Sequence, residues 1–404
     1  MNRRERIAQS WDFRYTMDIV LKKGKDRPVR AGHPWIFSGA IDRVQPKGKP
    51  GEIGTIKASS GEVLGQGYCN LSSSISVRVL TRGDEQFTPQ LLFERIACSV
   101  SRRRGMFDNQ TTAYRLINSE GDFLPGLIVD RYGDGLCVQL LTAGMRMMRE
   151  SIIGALKETC TPQFIYERSD AESVSREKIQ SVNDLIWGEM PRERVIREND
   201  LCYEVDLAGG QKTGLFLDQR ENRALVRRYA SGAYVADCFC YTGGFSLNAL
   251  KGGAERVISV DASRKALEQA KKNRVLNRFG CQEQDFAAAS VFNFLREVNE
   301  SFSLIILDPP KFARHHGERQ KAARGYKDVN LLALKALAPG GVLFTFSCSQ
   351  AIDPQLFRQI IFGAAVDAQR QVQLLDTPGQ PFDHPTNIAH REGEYLKGLV
   401  LRVV

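Results

Sequence analysis

Residues 302–350 read FSLIILDPPKFARHHGERQKAARGYKDVNLLALKALAPGGVLFTFSCSQ. Two runs in this stretch, Ser303–Leu307 and Gly341–Phe346, are apolar almost throughout. Strands covered on both faces by helices read this way. Asp308-Pro309-Pro310-Lys311 follows the first run, and Ser347-Cys348-Ser349 follows the second. Between them Val329–Leu337 has helical spacing and closes at Pro339-Gly340-Gly341. Strand, crossover and parallel strand put Asp308 and Cys348 at the carboxyl ends of neighbouring strands, where open α/β sheets bind ligands.

Working upstream, the same alternation begins near residue 200. Ala233–Phe239 reads as a strand, Gly243–Leu250 as a helix, and Arg256–Val260 as a strand ending in Asp261. Ser263 caps a helix through Asn277, with Gly280 as its stop. Downstream come a helix, Asp353–Ala368, and closing strands Val372–Leu375 and Gly398–Val403. The pattern predicts an α/β, doubly wound, Rossmann-like sheet. Its first turn, Phe239-Cys240-Tyr241-Thr242-Gly243-Gly244, places glycine where the backbone must approach a ligand, at a helix start with free amide donors. Asp261 closes the next strand, where a carboxylate can accept both hydroxyls of a ribose. The dinucleotide fingerprint is missing, so the expected ligand is a nucleoside.

Three further positions carry chemistry. Asp285, with Phe286 beside it, is expected to end the third strand and meet an adenine amino group; a plain surface turn is the competing reading. Pro309-Pro310 stiffens the turn and leaves backbone carbonyls unpaired, and Asp308 can then take a bond from the amino group of a planar base; a rigid turn out of a sheet is the alternative. Cys348 follows its strand rather than sitting inside it, and a thiol near Lys311 favours thiolate; a buried structural cysteine is the alternative.

Ahead of this domain, short glycine-broken strands at Asp18–Lys22, Gly54–Ala58, Val63–Tyr68 and Ser74–Leu80 indicate a β-rich module. A helix over Pro89–Arg104, strands over 114–141 and a helix–strand pair over 149–167 indicate an α+β unit. The domain reading is an arm at 1–15, the β-rich module at 16–86, the α+β domain with a charged, irregular linker at 87–195, and the sheet domain at 196–404. Net charge is +9, with 56 Lys and Arg against 47 Asp and Glu, which favours a polyanionic partner. The nine cysteines are scattered, and none form a zinc-ligand pair, so neither a disulfide scaffold nor a metal site is expected. Cys238 and Cys240 read as small packing residues, and His315-His316 as part of a solvated loop. No run reaches the roughly 18 apolar residues of a membrane span, and no signal peptide pattern opens the chain; a cytoplasmic protein is expected.

These residues resemble the bacterial 23S ribosomal RNA large-subunit cytosine-5 methyltransferases. The resemblance is carried by the glycine turn, DPPKF, FSCS, the Arg324–Asn330 loop, the upstream KTGLFLDQR of residues 212–220 and Asp383-His384-Pro385. His33–Gly39 resembles the start of that family's PUA domain, an RNA-binding barrel, and 122–131 its central domain. The resemblance implies S-adenosylmethionine as cofactor and 23S ribosomal RNA as partner, with no membrane. It implies that the Cys348 thiolate attacks C6 of a cytosine so that C5 accepts a methyl group, and that Asp308 holds the base. It implies Gln219, Arg220, Phe239, Tyr241, Thr242, Gly243, Gly244, Asp261, Asp285, Phe286 and Asp308 around the cofactor, and Pro309, Pro310, Lys311 and Lys327 toward the substrate. Cytosine-5 enzymes of the two-cysteine type carry a second cysteine where this chain has Lys311, and the base that takes the C5 proton is unnamed. Two other readings stand beside this one: an RNA guanine (N7 or N2) or adenine methyltransferase with Cys348 structural, or a non-catalytic RNA-binding assembly factor. The sequence leaves the oligomeric state open, a homodimer included.

Overall fold

The computed structural model describes residues 17–169, 171–192, 194–209, 214–299, 301–312 and 316–404. The expected arm at 1–15, Lys212, Thr213 and His315 lie outside these residues, as does the side chain of His316. The chain divides into two compact units. One comprises Met1–Arg194, Val205–Leu215 and Phe382–Gly393; the other comprises Val195–Glu204, Phe216–Pro381 and Glu394–Val404. The sheet unit is therefore not the single span 196–404 expected from the sequence. Among the described residues no helix is long and apolar enough to cross a membrane.

The first unit opens with six short strands: β1 (Met17–Leu21), β2 (Trp35–Phe37), β3 (Ile41–Gln45), β4 (Ile53–Lys57), β5 (Val63–Cys69) and β6 (Ile75–Val79). They pair in the order β2-β6-β5-β4-β1-β3. The inward residues Ile19, Leu21, Ile36, Ile56 and Val77 form its core. β2 escaped the sequence reading because it is only three residues long, and β3 because it mixes polar with apolar residues. A second sheet follows, with β7 (Ala113–Asn118), β8 (Leu127–Tyr132), β9 (Gly135–Leu140), β10 (Phe164–Ser169) and β11 (Val182–Gly188) in the order β11-β10-β9-β8-β7. Helices α1 (Pro89–Arg103) and α2 (Arg149–Cys160) pack together and share one core with this sheet. The stretch 170–195 is thus not a plain linker. It carries β11, antiparallel to β10, whose exposed side chains are those of an edge strand, and this explains its polar sequence.

The late Asp383-His384-Pro385 motif belongs to this first unit and is structural. Arg103 forks onto Asp122, with both nitrogens 2.7 Å from the carboxylate oxygens, and also donates to the Asp383 carbonyl at 3.1 Å. The backbone N–H of Arg115 donates to Asp383 Oδ2 at 2.9 Å, and Asn118 Nδ2 donates to the Pro385 carbonyl at 2.9 Å. A buried, bidentate ion pair thus anchors a returning segment from far along the chain.

The second unit opens with a hairpin, β12 (Val195–Glu198) and β13 (Leu201–Glu204). Its main sheet holds β14 (Tyr234–Cys238), β15 (Arg256–Asp261), β16 (Phe286–Ala288), β17 (Phe302–Leu307), β18 (Leu337–Ser347), β19 (Val372–Asp376) and β20 (Lys397–Val403). Their order is β16-β15-β14-β17-β18-β20-β19, parallel except for β20, which runs antiparallel to both neighbours. Alternate residues face opposite sides: Ala236, Ile305, Leu307 and Leu343 enter one core, and Val235, Leu304, Ile306 and Phe344 the other. Both faces are therefore dry, as the unbroken apolar runs require. The helices of this unit are α3 (Arg220–Val226), α4 (Gly244–Lys251), α5 (Arg264–Leu276), α6 (Val291–Glu297), α7 (Arg319–Ala336) and α8 (Pro354–Asp367). Ser263 caps α5 through the Ala266 N–H, as expected. That helix ends at Asn277 with Arg278 in the left-handed region, so Gly280 is not its stop. The expected loop at 324–330 is instead the middle of α7, where Tyr326, Val329, Asn330, Ala333 and Leu334 make one buried stripe.

Replacing Arg103 by alanine would strand the Asp122 carboxylate in the core. We expect a loss of about 3–5 kcal/mol, read as an earlier urea transition of the first unit, with Arg103→Lys recovering only part of it.

Candidate functional site

The site grows from the carboxyl end of β14. The chain leaves that strand through Phe239, Tyr241 and Gly243, with φ of 63°, 49° and 80°. Glycine tolerates that region freely, whereas the two aromatic residues are held there at a cost of order 1–3 kcal/mol each. Two backbone bonds fix the turn: Cys240 N–H to the Val260 carbonyl at 3.1 Å and Gly243 N–H to the Cys240 carbonyl at 2.8 Å. α4 begins directly afterwards. A Cβ on Gly244 would sit 2.7 Å from Cδ of Arg223, so no side chain fits there without moving Arg223. Arg223 cannot move cheaply, because it is buried and forks onto Glu198 of β12 at 2.7 and 2.6 Å. Cys238 and Cys240 are buried packing residues beneath the turn, and burial raises both thiol pKa values.

Two carboxylates flank this turn. Asp261, at the carboxyl end of β15, accepts the Tyr241 N–H at 3.0 Å and the Ser263 N–H at 2.8 Å. Each of its oxygens keeps acceptor capacity for a ligand hydroxyl. Asp237, within β14, is fully buried; one oxygen accepts from Ser246 N–H at 2.8 Å and Ser246 Oγ at 2.6 Å, and the other has no partner. Burial pushes its pKa up to about 6; the Ser246 bonds oppose this and the nearby Asp261 charge adds to it.

The second half of the site lies on β17 and β18. They are parallel neighbours with Leu307 opposite Thr345, so Asp308 and Cys348 emerge at the same edge. Asp308 is half-buried and accepts from Gln219 Nε2 at 2.9 Å, while Gln219 Oε1 accepts from Asn222 at 2.6 Å. The sequence reading placed Gln219 near the cofactor; the structure ties it to the Asp308 carboxylate. Arg220 is buried, with Nε 3.1 Å from Glu221. Pro309 is buried, whereas Pro310 and Lys311 are exposed. Cys348 is half-exposed between buried Ser347 and Ser349. Thr242 is buried, its carbonyl accepting from Asn273 at 3.0 Å, and the Tyr241 ring meets Phe216 edge-on.

Two expected cofactor residues and one expected substrate residue are elsewhere. Asp285 precedes β16 rather than ending it, so it lies level with the middle of β15 and short of the edge that holds the turn. Its carboxylate is 2.9 Å from Arg274 and 3.6 Å from Arg256, and the Phe286 ring lies under Lys271 and Arg274. Ala289 and Ser290 occupy the carboxyl end instead. The error came from reading a three-residue strand too early. Lys327 faces α8, where it pairs with Asp367 at 2.7 Å. Two residues were missed. Tyr326 is buried with its hydroxyl beside Ser347 but without a hydrogen bond of normal geometry. Lys397 opens β20 opposite Ser347, and its Nζ donates to the Ser349 carbonyl at 2.8 Å. A single charge heading an apolar strand was the available signal.

A family model described as an S-adenosylmethionine-dependent methyltransferase matches residues 160–386, and one for a PUA-like domain matches residues 19–82. The chain is 43% identical over 393 residues to the ribosomal RNA large subunit methyltransferase I of Tolumonas auensis, covering 96% of this chain and 99% of that one. It is 42% identical over 395 residues to the same-named protein of Aliivibrio fischeri, covering 96% and 100%. Among solved structures, a putative methyltransferase complexed with SAH has a TM-score of 0.84 at 22% identity, covering 96% of this chain and 100% of that one. A putative SAM-dependent methyltransferase from Streptococcus mutans has a TM-score of 0.81 at 22% identity, with the same coverage. S-adenosylmethionine is the cofactor, and the site fits it: a backbone cradle that excludes a Cβ, a helix N-terminus and a carboxylate with spare lone pairs.

Asp261→Ala is expected to weaken S-adenosylmethionine binding at least about tenfold by calorimetry, the loss of a charged hydrogen-bonding partner. Asp285→Asn should leave that affinity within about twofold while lowering thermal stability. For Asp237 the folded pKa lies above the unfolded value, so stability falls as pH rises from 3.8 to about 6. Above that window the full cost, roughly 3 kcal/mol, is present. The melting temperature of Asp237→Asn should therefore gain on the wild type as pH rises through that window.

Proposed function

We propose that this chain, which belongs to the ribosomal RNA large subunit methyltransferase I family, methylates C5 of a cytosine in 23S ribosomal RNA through a bond between Cys348 and C6. One observation carries the reading: a half-exposed thiol and a half-buried carboxylate leave adjacent parallel strands at the edge that also holds the cofactor turn. A purine methyltransferase needs no thiol there. The names of the relatives and the PUA-like domain support a ribosomal RNA substrate, and the net charge of +9 suits a polyanion.

The Cys348 thiolate attacks C6, and the electrons of the C5–C6 bond make C5 nucleophilic. Bound S-adenosylmethionine supplies an electrophilic methyl group. Asp308 accepts a hydrogen bond from the exocyclic amino group of the base and stabilises positive charge on that side of the ring. Gln219 holds the carboxylate in that orientation. Elimination then releases the C5 proton to solvent and returns the C6–S pair to Sγ, restoring the thiolate. The target base must leave any stack to reach the strand ends, and Pro309-Pro310 keeps the entrance turn rigid. Lys311, exposed at that turn, is free to meet phosphate.

Cys348→Ala is expected to lower transfer of labelled methyl to unmodified 23S ribosomal RNA at least 1,000-fold, on the order of the loss of a nucleophile, while S-adenosylmethionine affinity holds. Nucleoside analysis should find the wild-type label in 5-methylcytidine; label in a purine, or an active mutant, would reject the covalent reading.

A further inference from the structure

We propose that Lys397 is the counter-ion that holds Cys348 as a thiolate, a positioning residue for the nucleophile. This rests on the covalent reading above. The backbone alone brings the two together. Lys397 is the first residue of β20 and pairs in register with Ser347, the last residue of β18. Its Nζ then donates to the carbonyl of Ser349 at 2.8 Å. The backbone of Lys397 is thereby paired with Ser347 and its ammonium bonded to Ser349, the two residues that flank Cys348, and Lys397 is 8% exposed.

A buried cation needs an anion. Among the described residues no carboxylate forms an ion pair with Lys397 Nζ. The charges that reach it are Cys348 and, more weakly, Lys311 and Asp353. Asp353 caps α8 and is already paired with Arg319 at 3.2 Å. Lys311, on the loop after β17, repels it. From α7 the neutral Tyr326 hydroxyl lies beside Ser347 and near Cys348, and Asp308 is bonded to Gln219. The thiolate is thus the anion left to balance a desolvated ammonium, and a desolvated ammonium is what makes a thiol acidic. Burial lowers the lysine pKa to about 8, and the Cys348 charge opposes that fall. At neutral pH the amine is mostly protonated. The thiol proton leaves to solvent, the S–H pair stays on sulfur, and a thiolate–ammonium pair remains. Lys311 cannot do this as well, because it is exposed and its charge is screened by water.

The test follows alkylation of Cys348 by iodoacetamide against pH, in the full chain without RNA or cofactor, resolved from the other cysteines by peptide mass spectrometry. In the wild type the rate should reach half its plateau at least about one pH unit below the ordinary thiol value near 8.5. In Lys397→Met the midpoint should rise by about one unit or more, and Lys397→Arg, which keeps a cation, should restore most of the shift. Methyl transfer should fall about 10- to 100-fold in Lys397→Met, in kcat rather than KM. A wild-type midpoint at or above the ordinary thiol value would overturn the proposal, and this outcome needs no mutant to fold. So would an unmoved midpoint in folded Lys397→Met. If the midpoint moves but Cys348→Ala still methylates, the ion pair stands and the covalent reading falls; if Cys348→Ala is dead and the midpoint is fixed, the reverse holds.

Discussion

Strands β15, β14, β17 and β18 run parallel, and this shared polarity is the constraint on which the site depends. Each strand is buried on both faces, so none can offer a functional side chain along its length without placing it in a dry core. Chemistry is confined to the carboxyl end of each strand and the turn that follows it. There the backbone leaves the ladder and side chains regain access to a ligand. Phe239–Gly244, Asp261, Asp308 and Cys348 are all such residues. Their spacing in space is set by the strand separation of the sheet, not by their spacing in sequence.

Holding that edge in shape carries a stability cost. Phe239 and Tyr241 sit in the left-handed region, and Asp237 is buried with one oxygen unpartnered. The surroundings over-determine these strained features. Arg223 and Glu198 form a buried fork beneath α4, and Asp261 takes the Tyr241 N–H. Asp237 in turn ties β14 to α4 through Ser246, whose hydroxyl also meets Ser259 of β15 at 2.8 Å. Strain kept in place by ion pairs and buried hydrogen bonds is a mark of a preorganised binding turn.

What the sequence made legible follows the same logic. Largely apolar runs identified β14, β15, β17 and β18, and the glycine turn or polar residues that follow them identified their ends, because two dry faces leave a plain pattern. Asp285 was misplaced because β16 is three residues long and partly exposed, so its direction and end leave no pattern to read. The edge strand β11 looked like a linker for a related reason: its side chains are mostly exposed. Lys327 looked available because a lysine in a sequence carries no record of Asp367 on the next helix. The arginine fork at Asp122 and its tie to Asp383 were equally invisible, since they join positions that only the fold brings together.

The contrast between Lys311 and Lys397 shows why proximity in sequence misleads about electrostatics. Lys311 follows the Asp308 turn and was the natural candidate to favour a thiolate at Cys348. It is exposed, so high-dielectric water weakens its field and salt screens it beyond roughly 8–10 Å. Lys397 comes 49 positions after Cys348 yet is delivered beside it by the antiparallel pairing of β20 with β18. Among the described strands of this sheet β20 is the one that runs against the others. A parallel strand in the same place would present its amino end at the far side of the sheet, and the buried ammonium would be lost from the thiol. The reversed strand thus places a desolvated charge where a run of parallel strands could not.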